Sequence, residues 1–193
     1  MTSRYETVFP PLAGKVRAQG TDKDTVHSYG TFYRKLFETL DHTAKLNILE
    51  IGVFSGAFTQ GLSKYFPNSQ VVGMDISFAY LKYGASNPNI MYVQTDAKSE
   101  AFAKNLRRTF DIVTEDASHR KEDQLKHASV YAPLLAPGGT YVIEDIKGAN
   151  LAWLAPKLRK LATELGLSFE VIDLRENKKR YDDILAVLRK SPA

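Results

Sequence analysis

The chain has 193 residues, 44% of them hydrophobic and 25% charged, with no cysteine and a formal net charge of +4. That length suits a single domain over residues 1–193, and the balance excludes a disordered chain. The missing cysteine excludes disulfides and thiolate metal sites, and the modest charge makes nucleic acid an unexpected partner.

No apolar run approaches the ~20 residues needed to cross a bilayer, so no membrane partner is expected. The opening Met1–Pro10, with Arg4 and Glu6, lacks the apolar core of a signal peptide, which favours the cytoplasm. Basic clusters at Lys157, Arg159 and Lys160 and at Arg175, Lys178, Lys179 and Arg180 read as solvated faces or loops.

Residues 1–45 form a lead-in with helical spacing over Tyr29–Leu40. Short β-branched runs then alternate with amphipathic stretches, the signature of a parallel sheet with helices on both faces. In chain order the spacing predicts a strand at Asn47–Gly52, a helix at Gly56–Tyr65, a strand at Gln70–Asp75 and a helix at Phe78–Tyr83. A strand at Ile90–Gln94, a helix at Glu100–Leu106, a strand at Asp111–Glu115 and a helix at Glu122–Leu135 follow. The Pro137-Gly138-Gly139 turn leads into a strand at Thr140–Glu144 and a helix at Leu151–Leu165. The tail departs from this rhythm: Ser168–Leu174 and Asp183–Leu188 read as a hairpin joined by the charged loop Arg175–Asp182. Seven strands result, five parallel and two closing antiparallel.

In such a sheet a ligand sits over the carboxyl ends of the strands. The first strand ends in Glu50-x-Gly52-x-x-x-Gly56, where Gly52 permits a tight turn and Gly56 lets the next helix approach closely. This is not the G-x-G-x-x-G of dinucleotide binders, so a nucleoside without a pyrophosphate fits better. Asp75 closes the second strand, placed to accept from both ribose hydroxyls, and Asp96 follows the third, placed to receive an adenine amino group. A lone Asp at a strand end also serves as a turn or cap residue. Taken together, these strand ends and the closing hairpin resemble the Rossmann-like class I methyltransferases, which implies S-adenosylmethionine (SAM) as cofactor. Gly20-Thr21-Asp22-Lys23 with His27, Tyr29 and Tyr33 resembles the lead-in of sugar O-methyltransferases from macrolide and anthracycline biosynthesis, a group related to rhamnosyl O-methyltransferases and cephalosporin-hydroxylase-like proteins. The resemblance implies that Thr21 and Lys23 meet the methionine end of SAM, and adds Glu50 and Glu115 to the cofactor contacts. Capping of a short helix by Thr21 or Asp22 is the plainer alternative.

The fourth strand runs into Glu115-Asp116-Ala117-Ser118-His119 and the fifth into Val142-Ile143-Glu144-Asp145-Ile146. As sheet neighbours these ends converge Asp116, Glu144 and Asp145, which repel unless a proton or cation intervenes. Oxygen donors without cysteine suit Mg²⁺, with Mn²⁺ second. His119, with an ordinary pKa of about 6.5, is placed to take a proton from an acceptor hydroxyl. The metal-dependent members of the same sugar O-methyltransferases carry Asp-Asp-Gly-Ser-His, Pro-Gly-Gly and Ile-Glu-Asp segments. That resemblance implies Asp116, Glu144 and Asp145 as metal ligands and His119 as general base. Glu115 and Ala117 depart from the pattern, and Ala117 would restrict the turn if a positive φ were needed there.

The expected activity is therefore Mg²⁺-dependent O-methylation of a sugar hydroxyl on a small molecule or glycan. Alternatives are a catechol-type acceptor, a nucleic-acid acceptor held by the Arg175–Arg180 loop, and a SAM-binding subunit without catalysis. Longer relatives enclose the acceptor with further segments, so an acceptor site that is open, or completed by another copy in a homo-oligomer, is expected. His42 and His127 read as surface or packing residues, and Trp153 as helix packing.

Overall fold

The computed structural model describes residues 20–193. Expectations for the earlier lead-in, including the Met1–Pro10 segment, lie outside those residues. Within them the chain forms α1 (Gly30–Glu38), β1 (Asn47–Ile51), α2 (Ala57–Tyr65), β2 (Gln70–Asp75), β3 (Ile90–Gln94), α3 (Glu100–Asn105), β4 (Phe110–Glu115) and α4 (Lys121–Tyr131). A 3₁₀ turn, Ala132–Leu134, leads to β5 (Leu135–Ile143), α5 (Gly148–Glu164), β6 (Leu167–Asp173), α6 (Arg175–Lys178) and β7 (Ile184–Lys190). Among the described residues no helix is long and apolar enough to cross a membrane.

The strands form one sheet in the order β3-β2-β1-β4-β5-β7-β6. β1 to β5 run parallel, while β7 is antiparallel to both β5 and β6. The expected Rossmann-like class I methyltransferase layout is therefore present, with the tail hairpin folded so that β7 lies inside. Both sheet faces are covered, which is why the central strands read as nearly continuous apolar runs. Alternate residues point to opposite faces. Ile48, Val71, Ile112, Val142 and Val187 pack under α1 and α2 with Phe37, Leu62 and Phe66. Leu49, Val72, Val113, Tyr141 and Ile143 pack under the helices of the other face with Ala128, Leu154 and Leu158.

Three local expectations are corrected. Phe78–Tyr83 has helical spacing but no helix. Its backbone is engaged elsewhere: the amides of Lys82 and Tyr83 donate to the Ser55 carbonyl at 2.9 and 3.1 Å, and the Tyr92 hydroxyl donates to the Tyr83 carbonyl at 2.9 Å. Pro137-Gly138-Gly139 does not precede a strand but interrupts one. The β4–β5 register shifts there, Gly138 takes φ +79°, and its amide donates to the Ser191 carbonyl at 3.1 Å. The Arg175–Asp182 connection contains the short helix α6 rather than loop alone.

Candidate active site

Two adjoining hollows open over the carboxyl ends of the strands, one beside Asp75 and one beside Asp116, and Gly52, Phe54, Asp116 and Ala117 line both. The turn between them requires glycine. Gly52 has φ +88°, and a Cβ there would come within 2.2 Å of the Asp116 carbonyl oxygen. Gly56, at φ +80°, starts α2, and a Cβ there would meet the Tyr83 carbonyl oxygen at 2.7 Å. Glycine alone adopts this backbone without steric cost.

The Asp75 hollow has a volume of about 420 Å³ and is lined by Met74, Asp75, Asp96 and Ala97 among others. Asp75 Oδ2 accepts from the amides of Val53 and Phe54 at 2.8 and 3.1 Å, and Oδ1 from that of Ser77 at 3.1 Å. The carboxylate thus pins the glycine turn to the end of β2 while facing the hollow. Asp96 Oδ1 accepts from the Lys98 amide at 2.9 Å in an Asx-type turn, and its Oδ2 lies 3.8 Å from the Lys98 ammonium. Glu115 lies beneath, buried and 3.0 Å from His127 Nδ1. His127 is thus a packing residue, not a surface one, and it reaches the lining of this hollow.

The Asp116 hollow has a volume of about 430 Å³, and its lining includes Thr21, Lys23, Glu50, Asp116, His119 and Asp145. Residues 22–29 make one turn, with the amides of Thr25, Val26 and His27 all donating to the Asp22 carbonyl. That turn drops the Lys23 side chain into the sheet, where its ammonium donates to Asp116 Oδ2 at 2.8 Å and to Glu144 Oε2 at 2.6 Å. Burial alone would depress the Lys23 pKa. Asp116, Glu144, Glu50 and Asp22 outweigh it and hold the ammonium well above its ordinary range. Tyr33 donates to the other Glu144 oxygen through a short hydrogen bond, and Tyr29 donates to Asp145 Oδ1 at 2.6 Å. His27 Nδ1 lies 3.0 Å from Asp183 Oδ1, which also accepts from the Ser28 amide at 3.2 Å.

His119 stands between two carboxylates, Nε2 at 3.3 Å from Asp116 Oδ1 and Nδ1 at 3.2 Å from Asp145 Oδ2. Its hydrogen bond to Asp116, with the charges of Asp116, Asp145 and Glu115, overcomes burial and raises it to about 9. Burial pushes Asp116 up, but Lys23 and His119 win and bring it to about 2. Burial, with repulsion from Asp116, raises both Glu144 and Asp145. Glu50, hydrogen-bonded by Thr59, is lifted by burial to about 8. The cluster therefore carries more acid than Lys23 alone can balance, and a proton or a cation relieves it.

His119 and Asp145 both have φ +54°, left-handed backbone that costs a non-glycine residue strain and recurs at functional sites. Ala117 is not among the positive-φ residues, so its departure from glycine leaves the turn intact.

The sequence-read residues come together unevenly. Asp116, His119 and Asp145 offer ligand atoms within 4.8 Å of one another, the one such group among the described residues. Two carboxylates and an imidazole fit a small divalent cation of the Mg²⁺ or Mn²⁺ kind. Glu144 converges on the same spot but is engaged by Lys23 and Tyr33. Thr21 lies at the mouth, where its hydroxyl meets the Lys23 amide at 3.4 Å. Sequence reasoning gave no role to Asp183, fully buried at the start of β7, or to Lys178. The Lys178 ammonium donates to the Asp24 and Thr25 carbonyls at 2.6 and 3.1 Å. An acid heading the all-apolar run Ile184–Leu188 was the available signal for the first; nothing in the spacing marked the second.

The sequence model of the FtsJ-like methyltransferase family matches residues 33–170. Among curated proteins, 8-demethyl-8-alpha-L-rhamnosyl tetracenomycin-C 2'-O-methyltransferase of Streptomyces olivaceus is 30% identical over 148 residues, covering 72% of this chain. Mycinamicin VI 2''-O-methyltransferase of Micromonospora griseorubida is 28% identical over 152 residues, again 72% of this chain. The chain spans only 38% and 37% of those proteins' own lengths. Among solved structures, the MycE methyltransferase from the mycinamycin biosynthetic pathway, in complex with Mg, SAH and mycinamycin VI, superposes with a TM-score of 0.68. It shares 21% identity and covers 87% of this chain and 50% of that one, a likeness of fold.

Proposed function

The chain belongs to the FtsJ-like methyltransferase family, and from that premise we propose that it transfers the methyl group of SAM to a sugar hydroxyl with the help of Mg²⁺ or Mn²⁺. The observation that carries this reading is the shared wall of the two hollows, which sets the space beside Asp75 and Asp96 against the cluster of Asp116, Asp145 and His119. Asp75 and Asp96 hold the ribose and adenine of SAM, and the Gly52–Gly56 turn lets its methionine end lie close to the backbone. Glu50, Glu115 and Thr21 shape that side, Glu115 from below through His127. Asp116, Asp145 and His119 face the acceptor, and Lys23 keeps Glu144 and one oxygen of Asp116 in place.

A divalent cation held by Asp116 and Asp145, with Glu144 behind, would make a nearby hydroxyl more acidic. His119, no longer held protonated once a cation takes up the charge of Asp116 and Asp145, would accept the hydroxyl proton while the acceptor oxygen forms its bond to the methyl carbon and the carbon–sulfur bond breaks to leave S-adenosylhomocysteine (SAH). The basic loop between β6 and β7 supports a small acceptor over nucleic acid. Arg175 is paired with Asp173, Lys179 with Glu176 and Arg180 with Asp182, while Lys178 serves the lead-in turn. Two further features favour a glycosidic acceptor: the rhamnosyl tetracenomycin-C and mycinamicin VI acceptors of the two relatives, and the MycE complex with Mg, SAH and mycinamycin VI.

The test is transfer of labelled methyl from SAM to a panel of methyl α-L-rhamnoside, other glycosides, catechol and RNA, with and without EDTA. Methylation of a glycoside that chelation abolishes and Mg²⁺ restores is expected. Full activity after exhaustive chelation would remove the metal from the account, and transfer only to RNA would remove the sugar.

A further inference from the structure

The carboxylate oxygens of the three converging acids are all engaged by groups of this chain. Asp116 Oδ1 faces His119 Nε2 at 3.3 Å, and Oδ2 accepts from the Lys23 ammonium at 2.8 Å. Glu144 Oε1 accepts from Tyr33 through a short hydrogen bond, and Oε2 accepts from Lys23 at 2.6 Å. Asp145 Oδ1 accepts from Tyr29 at 2.6 Å, and Oδ2 faces His119 Nδ1 at 3.2 Å. Lys23 therefore bridges two of the acids. It is only 2% exposed, so its charge acts on them with little screening by water.

Acids this crowded need a cation, and in the arrangement seen here the lysine supplies it. A divalent ion on Asp116 and Asp145 upsets that balance. It would stand across the Asp116 carboxylate from the ammonium, two like charges on one acid with little water between them. The ammonium has a second seat within reach. Nζ lies 4.5 Å from the centre of the Phe58 ring, and the face of an aromatic ring attracts a cation. Phe58 and Glu50 line the same hollow as Lys23, and the charge of Glu50 already acts on the ammonium.

We propose that Lys23 is a displaceable counter-ion, holding Asp116 and Glu144 until a divalent cation replaces it and turns its ammonium towards Phe58 and Glu50. This rests on the metal reading above and adds how the metal enters. The lysine keeps the acids assembled ahead of the metal, and its departure frees a Glu144 oxygen to join Asp116 and Asp145 around the ion. Metal and ammonium thus compete for the same carboxylates.

The test is titration of Mn²⁺ into the wild type and Lys23→Met without SAM, followed by loss of the paramagnetic resonance signal of free Mn²⁺. Methionine keeps a long side chain and removes the charge, so Lys23→Met should bind Mn²⁺ about tenfold or more tightly than the wild type. Equal or weaker binding overturns the proposal, because a lysine that merely assembles the site helps the metal. Stranding buried charge can unfold a protein, so a second measurement uses the wild type alone. Lys23 should react with acetic anhydride severalfold faster in saturating Mn²⁺ than in EDTA, read by mass spectrometry against the exposed Lys160. An unchanged rate with the metal bound equally overturns the proposal, and leaves the metal reading standing. Mn²⁺ bound by neither protein removes both. Tight binding by Lys23→Met beside wild-type methyl transfer that survives chelation keeps the competition and removes the metal from the reaction.

Discussion

The hollow beside Asp75 and the hollow beside Asp116 share the Gly52–Gly56 turn but differ in where their contacts come from. Around Asp75 and Asp96 the partners are backbone amides: Ser77 and Lys98 two residues on, and Val53 and Phe54 in the glycine turn that follows the adjacent strand β1. Around Asp116 they are side chains of the lead-in, which the tail in turn holds through Asp183 and the Asp182 carbonyl. Lys23 reaches Asp116 and Glu144 across 93 and 121 residues, and Tyr29 reaches Asp145 across 116. One half is set by strand ends and turns, the other by docking of the lead-in and the tail hairpin on a finished sheet. Buried ion pairs of the second kind are costly to break, because removing one partner strands the other's charge. The halves should therefore be separable: changes around Asp116 stop chemistry and spare SAM, while changes around Asp75 loosen SAM.

The largest expected effect is at His119. His119→Asn, chosen because asparagine tolerates left-handed backbone, should lower turnover by about 10²–10⁴-fold, the usual weight of a general base. SAM affinity should scarcely change. His127 is unsuitable as a neutral control, since it is buried against Glu115; exposed His42 is the proper one. Turnover per folded molecule equal to wild type, with a lowered melting temperature, would assign His119 a structural role and break the comparison.

A smaller effect sharpens the boundary between the halves. Glu50 is buried in the wall of the Asp116 hollow, and burial lifts it from its ordinary 4.5 to about 8. Its folded-state pKa is thus above the unfolded one, so the proton is held more tightly in the fold. That contribution to stability is complete below about 4.5 and is lost as pH rises through about 8. Glu50→Gln keeps an acceptor for Thr59 and removes the titration. Melting temperatures from pH 5 to 9 should show the wild type losing ground to Glu50→Gln as pH rises. A constant difference across that range would mean that Glu50 is already ionised in the fold.

The same contrast explains what the sequence made legible. The strands, the glycine turn and the placing of Asp75 and Asp96 at strand ends were readable because they depend on short apolar runs and on local backbone geometry. Convergence of Asp116, Glu144 and Asp145 was readable because β4 and β5 are neighbours. The ion pairs of Lys23 were not: the resemblance pointed it at the methionine end of SAM, and nothing in the spacing showed that the turn over 22–29 buries it between Asp116 and Glu144. Phe78–Tyr83 misled for the reverse reason, since its helical spacing is genuine but its backbone groups find better partners in Ser55 and Tyr92. Likewise Pro137-Gly138-Gly139 reads as a turn, and only the pairing of β4 with β5 makes it an interruption within a strand.

The most direct measurement is a calorimetric titration of SAM into the wild type, Asp75→Ala and Asp145→Ala, each in EDTA. The wild type should bind. Asp75→Ala should bind about tenfold or more weakly, the loss expected for a charged hydrogen-bond acceptor, and Asp145→Ala should stay within about threefold of wild type. No binding of SAM to the wild type, or equal losses in the two variants, would contradict the assignment of the two hollows.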